Sequence, residues 1–600
     1  PRGAYGLINI ANFESNADFL ATYKKDLKNF DFSVSVGGNS RYQKGSNVTN
    51  ATKGGTGLIV PGVYNIQNIA PANLDYNSSW FQRAMYSVYG LANVGFRDMI
   101  FLDVTARNDW SSTLPAANRS YFYPSASLSL LVNEMLPLSN QISMLKLRTG
   151  FAQVGNDANP YQLLGTLGNA GTWDGIPRLS TPGTLLISDL KPEIVTSYES
   201  GIDLNLFKNR LRFSGTYYMV ENRNQILSTK LPPSSGYSLK NINAGLLVSK
   251  GFELSLGGTI VDKNDWRWDL TTNWTRNRTT IKSLSDDLPY YTLWTDAKGG
   301  AWTYVGEQIG DIYDAKIVSV EDKASPYYGY PILDQTGKWQ SIDAINTKNK
   351  IGNFNPKFIM GLQTSVSYKG FSLSMSFDWR NGGDFVSQTY RYGEENGQSQ
   401  LFLDKLINPN GLTGDALRNY LIANQDELIR INGNYFPLVG GPTPDYGGYP
   451  FKYGPYTLPH GGVFIPGVLA TGYDANGNPT GYKENLGGTG TLILPFAGST
   501  AWSFTRAFLY DASFLKLREI TLGYDLPQAW LKKVGIQSAN FSVYSRNIIL
   551  WTAAKINIDP ENAFQPEAGI QGGSQFKQGI ERYNVNPWVI PVGFKLGLTF

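Results

Sequence analysis

Residues 355–381 read NPKFIMGLQTSVSYKGFSLSMSFDWRN, and this stretch decides the fold class. Up to residue 368, one parity is bulky and apolar while the other is mostly small or polar, and the same contrast resumes after Lys369-Gly370. Successive side chains of a strand point to opposite faces, so the stretch predicts a β-hairpin with one apolar and one polar face. The apolar set is Phe358, Met360, Leu362, Thr364, Val366, Tyr368, Phe371, Leu373, Met375, Phe377 and Trp379.

This alternation recurs along the chain, and the recurrence favours a single large sheet over an isolated hairpin. It predicts about fifteen strands, with the opening hairpin supplying the eleventh and twelfth. The predicted strands are 17–26, 30–42, 84–94, 98–109, 121–132, 145–155, 195–207, 211–223, 248–260, 266–277, 358–368, 371–381, 513–525, 537–550 and 591–600.

The connections between these strands alternate in length. Those after odd-numbered strands have roughly two to twelve residues, whereas those after even-numbered strands are longer, often by tens of residues. Outer-membrane barrels have short periplasmic turns and long extracellular loops, and a strand of about 9–11 residues spans the bilayer. The sequence therefore predicts an all-β fold: a transmembrane antiparallel up-and-down β-barrel with long extracellular loops, closed because lipid tolerates no unpaired edge.

Composition excludes several other classes. The 600 residues carry a formal net charge of +4, which gives no case for nucleic acid. The absence of Cys from the sequence excludes disulfides and thiolate metal sites. The single histidine, His460, nearly excludes a multi-histidine metal site or a Ser–His–Asp triad. No apolar run of about 18 residues suggests a transmembrane helix. We expect a protein that is not an enzyme and has no cofactor.

The same parity predicts that the chain is part of a larger barrel. Strand 1 precedes a short turn, so Pro1 would lie outside and Phe600 in the periplasm. Bacterial single-chain barrels have an even number of strands, and we expect further strands upstream. Gly3–Ile10 is a place where part of another strand could lie.

Eight stretches, in order along essentially the whole chain, resemble the SusC/RagA family of TonB-dependent outer-membrane transporters of Bacteroidota. They are LDVTARNDWSSTLP (102–115) with YFYPSASLSL (121–130), LKLRTGFAQVGN (145–156), LKPEIVTSYESGIDL (190–204), GFELSL (251–256), IGNFNPKF (351–358), SFLKLREITLGYDLP (513–527) and FSVYSRNIILWT (541–552).

The resemblance implies a barrel of about 22 strands with a plug domain and an N-terminal TonB-interacting segment. Neither is recognisable in residues 1–600, which would be the C-terminal part of the barrel. It further implies energised uptake of oligosaccharides or oligopeptides across the outer membrane. A SusD-like surface lipoprotein would cap the barrel, and TonB–ExbB–ExbD would act through the plug. The alternative is an adhesin or structural scaffold without active transport.

Two aromatic clusters in the longest loops are candidate substrate contacts, because amphipathic, rigid rings stack on sugars or grip peptide side chains. The competing interpretation is that they cement the loops together or to a partner. Trp266, Trp268 and Trp274 share an apolar face and are interpreted as lipid-facing or girdle residues. The candidate contacts are Tyr290, Tyr291, Trp294, Trp302 and Tyr304 in loop 278–355, and Tyr446, Tyr449, Tyr453 and Tyr456 in loop 383–512.

No metal site is predicted. Residues 333–350 replace the acidic, calcium-loop-like run of many family members, and Thr336, Lys338 and Gln340 stand at the alternate ligand positions between Asp334 and Asp343. Calcium takes six to eight oxygen ligands, so Lys338 argues against binding. We interpret YDANGNPTGY (473–482) as a turn, and both GGTGT (487–491) and His460 as parts of loops.

Overall fold

A computed structural model describes residues 3–163, 165–231, 233–285, 288–334, 339–395, 451–453, 456–458, 463–464, 468–475, 477–484, 493–494, 504–532, 535–564, 578–582 and 587–600. The chain divides into two compact units. Unit 1 is Pro1–Gly258 with Asn277–Pro289, and unit 2 is Thr259–Arg276 with Tyr290–Phe600. None of the helices in the described part of the chain has the length and apolar character needed to cross a membrane.

All fifteen predicted strands are present. In chain order they are β1 Gly6–Leu27, β2 Phe30–Thr52, β3 Leu74–Phe96, β4 Ile100–Ser111, β5 Ser120–Leu131, β6 Ile142–Asn156, β7 Glu193–Leu206, β8 Leu211–Lys230, β9 Leu239–Lys263, β10 Trp266–Ser283, β11 Phe358–Tyr368, β12 Phe371–Asn381, β13 Phe514–Asp525, β14 Ser538–Thr552 and β15 Val592–Thr599.

In unit 1, strands β1 to β9 pair antiparallel with their neighbours in chain order. The first three strands are each about ten residues longer than predicted, because residues 6–16, 43–52 and 74–83 also pair in the ladder, which continues to Gly6↔Ala51 and Thr52↔Leu74. Gly6–Ile10 therefore belongs to β1, and the expectation of part of another strand there is wrong.

In unit 2, β11 to β15 pair antiparallel in chain order, and β10 pairs with β11. The register sets Met360 opposite Trp379 on the apolar face and Ser365 opposite Ser374 on the polar face, which confirms the hairpin. At its turn, Lys369 and Gly370 have φ of 46° and 87°. Two consecutive positive φ angles are the signature of a type I′ turn, whose twist matches that of the strands.

The long connections contain short elements of their own. In unit 1 these are the 3₁₀ helices Ile66–Asn68, Pro71–Asn73 and Pro233–Ser235, the helix Val132–Met135, and the strands Gly168–Trp173, Ile176–Ser180 and Thr184–Leu185. In unit 2 the strands are Tyr290–Thr295, Gly299–Tyr304, Asp311–Asp314, Lys316–Ile317, Ile332–Leu333, Ser341–Ile342, Lys350–Asn353, Asp384–Ser387, Phe451–Tyr453, Tyr456–Leu458, Val463–Phe464, Val468–Tyr473, Pro479–Glu484, Ile493–Leu494, Leu509–Asp511 and Ile580–Glu581. The helices there are Ala344–Thr347, Gln388–Glu395 and Gln528–Leu531, with 3₁₀ helices Thr505–Phe508 and Pro560–Phe564.

Buried apolar side chains concentrate in these connections. One cluster in unit 2 joins residues of two connections. Trp294, Ile312 and Phe354 lie between β10 and β11, and Val386 and Phe508 lie between β12 and β13. A cluster in unit 1 joins Leu114, Ala158 and Leu190 to Tyr121 of β5. The long connections of each unit therefore carry a core of their own beside the strands.

Candidate functional site

The polar face of unit 2 forms a shallow groove with a floor of small hydroxyls. Ser365 and Ser374 pair directly across β11 and β12, and Gln363 pairs with Ser376. Charged side chains border the floor: Asp269 binds Arg267, and Glu519 binds Arg546 at 2.7 Å. The groove has a volume of about 300 Å³ and offers hydroxyl, amide and carboxylate groups to a polar solute.

The polar face of unit 1 carries hydrogen-bonded ion pairs along its strands. Arg148 reaches Asp203 at 3.3 Å and also donates to the Thr216 hydroxyl. Arg107 donates to Asp109, whose other oxygen accepts from the Tyr123 hydroxyl at 2.6 Å. Charges buried against hydrocarbon are costly, so this face is the one that contacts water.

The first aromatic candidates lie in a small sheet built from loop 278–355. Its strands, Tyr290–Thr295, Gly299–Tyr304, Asp311–Asp314 and Lys350–Asn353, pair antiparallel in that order. Trp302 and Tyr304 pack with Tyr290 around Tyr313, a residue that the sequence analysis did not single out. Trp294 belongs to the other cluster and donates from Nε1 to the Gln578 carbonyl at 3.0 Å.

Burial distinguishes the candidates from one another. Trp294, Trp302 and Tyr304 are only 4%, 4% and 7% exposed, whereas Tyr290 and Tyr291 are half-buried. In this arrangement the three buried rings contact protein, which is the cementing interpretation. Direct contact of any of the five with a solute stays a prediction.

The other candidates lie in loop 383–512. Tyr453 pairs with Tyr456 in the hairpin formed by Phe451–Tyr453 and Tyr456–Leu458. Tyr446 and Tyr449 lie outside the described residues, as do His460 and GGTGT (487–491).

Burial shifts the titration of groups in the loop sheet. Burial and the hydrogen bond to Glu307 raise the pKa of Tyr313, and burial raises the pKa of Tyr304. Burial also raises the pKa of the Asp314 carboxyl, although Arg506 opposes this by donating to it from its backbone and side chain. Tyr304 and Tyr313 are therefore neutral phenols at neutral pH, and Arg506 compensates the buried Asp314 carboxylate.

Ion pairs join this sheet to later segments of unit 2. Arg391, itself buried, donates to both oxygens of Asp296 at 2.6 and 2.8 Å, and the Thr505 hydroxyl donates to the same carboxylate. Arg506 contacts Asp314 at 3.3 Å. These pairs could not be predicted from the sequence, because their partners are 95 and 192 residues apart.

The calcium-like stretch has other roles where it is described. Asp343 caps the helix Ala344–Thr347 by accepting from the Ile345 amide at 3.0 Å, and Gln340 donates to the Leu333 carbonyl. Thr336 and Lys338 lie outside the described residues. In the part of the chain that the structure describes, no three His, Cys, Asp or Glu side chains form a group that could hold a metal ion.

The turn predicted in 473–482 is confirmed. The Asn478 amide donates to an Asp474 side-chain oxygen at 2.8 Å, and the Asp474 amide donates to the Asn478 carbonyl. These bonds close the hairpin between Val468–Tyr473 and Pro479–Glu484.

The structure has the features of an outer-membrane β-barrel protein: long antiparallel strands with one apolar face and one charged face that contacts water, joined by long folded loops. Residues 2–340 match the family described as TonB dependent receptor-like, beta-barrel, and the chain belongs to that family. This confirms the all-β barrel class and the multi-pass location in the bacterial outer membrane.

Individual relatives and a solved structure agree with this family membership. The chain is 22% identical over 601 residues to TonB-dependent receptor P26 of Formosa agariphila, covering 97% of this chain and 53% of the relative. It is 26% identical over 315 residues to TonB-dependent receptor SusC of Bacteroides thetaiotaomicron, covering 49% of this chain and 31% of SusC. A structure of the RagAB peptide importer in its 'closed-closed' state aligns with TM-score 0.68 and 18% identity over 99% of this chain and 56% of that one.

These relatives confirm the SusC/RagA resemblance, and the solved structure confirms the fold. The chain spans about half the length, or less, of the curated relatives it matches.

Proposed function

We propose that this chain is part of an importer that carries large polar nutrients, oligosaccharides or oligopeptides, across the outer membrane. The membership in a family of TonB-dependent receptors supports this proposal. In it, residues 1–600 supply the C-terminal part of the barrel, and a plug domain elsewhere in the protein couples to TonB–ExbB–ExbD. A SusD-like surface lipoprotein caps the extracellular side.

The observation that carries the proposal is the polar face of the strands. Small side chains such as Ser365 and Ser374 leave room for a solute next to the polar face. Ion pairs such as Arg148–Asp203 and Glu519–Arg546 keep this face charged and hydrated. A solute that exchanges hydration for hydroxyl, amide and carboxylate contacts passes such a wall at low desolvation cost. Oligosaccharides and peptides share that chemistry, so both remain in the proposal.

The test compares cells with and without the intact gene in the native bacterium. Fluorescent oligosaccharide and peptide pools are supplied, and accumulation inside cells is measured with and without a protonophore. We expect gene deletion to abolish protonophore-sensitive accumulation of one pool and the full-length gene to restore it. Binding that stays on the surface, is insensitive to the protonophore and depends on the gene would overturn import in favour of an adhesin or scaffold.

A further inference from the structure

The connection after β14 lies against the polar face of β12 and β13. We call residues 553–564 the strap. Lys516 of β13 pairs across the sheet with Asp378 of β12, and its side chain is fully buried. Its Nζ atom lies 2.6 Å from the Asp559 carboxylate and 2.8 Å from that of Glu561, both on the strap.

A β-bulge at Arg518 adds a second anchor. The register places Leu517 opposite Phe377 and Glu519 opposite Ser376, which leaves Arg518 as the extra residue. Bulges redirect side chains, and the Arg518 guanidinium bonds both oxygens of Glu561, at 2.7 and 2.8 Å, as well as Asp378. Bidentate contacts between arginine and a carboxylate are among the strongest charge-assisted hydrogen bonds.

Apolar contacts continue the attachment along the strap. Ile556 and Ala563 pack with Phe385 and Ala512 in a buried cluster. The Phe564 ring lies 3.7 Å from the guanidinium carbon of Arg380, and this buried arginine also donates to the Phe354 carbonyl at 2.7 Å. Backbone bonds fix both ends: the Ala553 amide donates to Ser513, and the Gly579 amide donates to Ala563.

The ion pairs at this contact depend on the strap. Lys516 and Arg518 pair with the strap carboxylates Asp559 and Glu561, and Arg518 also pairs with Asp378 of β12. Removal of the strap would take away both carboxylates that pair with Lys516 and would leave Asp378 as the carboxylate that pairs with Arg518 among the described residues. A buried lysine without its partners is strongly unfavourable, which makes Lys516 the residue on which the attachment depends most.

We propose that Lys516 and Arg518 hold the strap permanently against the polar face of β12 and β13, and we call this attachment the latch. The strap then narrows the passage beside the last residues of β12 and the first residues of β13. Lys516 and Arg518 are positioning residues in this scheme, because they act through the strap. The narrowing rests on the proposed function, in which the polar face lines the passage. The latch does not depend on the proposed function, because it is a property of the fold.

The experiment measures how fast a buried strap residue is modified. The 600 residues contain no cysteine, so Ala563→Cys, at a site 1% exposed, introduces a single thiol. The full-length protein is used, with any cysteine outside these residues replaced by serine. A membrane-impermeant maleimide is applied to whole cells, and barrel assembly is verified by heat-modifiable electrophoretic mobility.

We expect slow labelling in the otherwise unchanged protein and labelling at least tenfold faster with Lys516→Met. Arg546→Gln removes an exposed pair on the same face and is the matched control, with labelling as slow as in the parent. If Lys516→Met does not assemble, Glu561→Gln carries the test, because it changes only the strap. Fast labelling in the parent, or slow labelling in both Lys516→Met and Glu561→Gln, would overturn the latch. The labelling rate does not depend on substrate uptake, so the experiment tests the latch independently of the proposed import function.

Discussion

The Trp302 indole lies flat against the Tyr313 ring, with ring centroids 5.1 Å apart and an interplanar angle of 8°. Both rings are buried, and the Tyr304 ring meets Tyr313 edge-on at 5.6 Å. Stacked and edge-to-face pairs add to the stabilisation that burial provides. This stack therefore holds the second and third strands of the loop sheet together.

Replacing the indole tests that role. We expect Trp302→Ala to destabilise the loop sheet by about 3–5 kcal/mol, because it removes a large buried ring and leaves a cavity. Trp302→Phe should retain most of the stability. Limited proteolysis of detergent-purified protein, with cleavage mapped between residues 283 and 358, measures the effect. Trp173→Ala, at a side chain 70% exposed, is the control and should leave this region resistant.

Solute binding gives a second comparison for the same variants. A direct substrate contact at Trp302 predicts that Trp302→Phe lowers affinity while protease resistance stays high. Equal affinity in Trp302→Phe and the parent would contradict substrate contact at this residue and leave the cementing role.

The hairpin around Lys369-Gly370 could be predicted from sequence because two local signals agree. Alternation with period two separates Phe and Met from Ser, and a turn pair stands between the halves. The outer parts of β1 to β3 could not be predicted, because residues such as Asn47 and Gly45 carry no apolar contrast there. Backbone pairing extends those strands, and pairs such as Arg41–Glu14, at 3.1 Å, add cross-strand contacts.

The site residues show a different limit. The density of aromatic residues singles out Trp302 and Tyr304, whereas Tyr313 is the one aromatic residue in DIYD and gives no such signal. Lys516 and Arg518 lie in a stretch that was predicted as strand 513–525 and matched to the family but not singled out as a site, and their partners on the strap come more than 40 residues later. Two positive charges at alternate positions of one predicted strand, Lys516 and Arg518, were the available signal, since a buried charge needs a partner.

The buried Arg391–Asp296 pair should be essential to the loops of unit 2. Arg391→Met leaves the Asp296 carboxylate with only the Thr505 hydroxyl among its described side-chain donors. Removing one member of a buried pair costs about 3–5 kcal/mol, and thermal unfolding in detergent should occur at a clearly lower temperature. Lys316→Met is the control: Lys316 is half exposed, lies 3.9 Å from Glu321, and should contribute less than about 1 kcal/mol. Equal midpoints for both variants would contradict the role of the pair.

The strap should lose stability in acid. Burial opposes ionisation of Glu561, but its bonds to Arg518 and Lys516 prevail and lower its pKa from 4.5 to about 2. A folded-state pKa below the unfolded value stabilises the fold above about pH 4.5, and this contribution is lost as the pH falls toward 2. About a third of the side chain is exposed, so we expect roughly 2 kcal/mol rather than the full value of the shift.

Glu561→Gln removes the titrating group and provides the comparison. The difference in unfolding midpoint between the parent and this variant should be largest from pH 5 to 7 and should shrink between pH 4 and 2. Glu321→Gln, at a side chain 85% exposed, controls for general acid effects. A difference that stays constant over this range would show that folding does not lower the pKa of Glu561.

An exposed hairpin in unit 1 is the place where we expect the lipoprotein partner of the proposed importer to bind. Gly168–Trp173 and Ile176–Ser180 pair around a turn at Asp174 and Gly175, whose φ angles are 48° and 76°. Trp173, Ile176 and Leu179 are 70%, 68% and 65% exposed. An isolated two-stranded hairpin is marginally stable in water, and exposed apolar patches mark interaction sites.

The double variant Trp173→Ser with Ile176→Ser should reduce co-purification of the lipoprotein at least tenfold while leaving assembly of the barrel unchanged. Leu136→Ser provides a matched control in the same unit, because Leu136 is 58% exposed but lies on a short connection, between β5 and β6. The alternation of connection lengths assigns long and short connections to opposite sides of the membrane, so a surface lipoprotein reaches the hairpin and not Leu136. Loss of the partner with Leu136→Ser, or its retention with the double variant, would contradict binding at this hairpin.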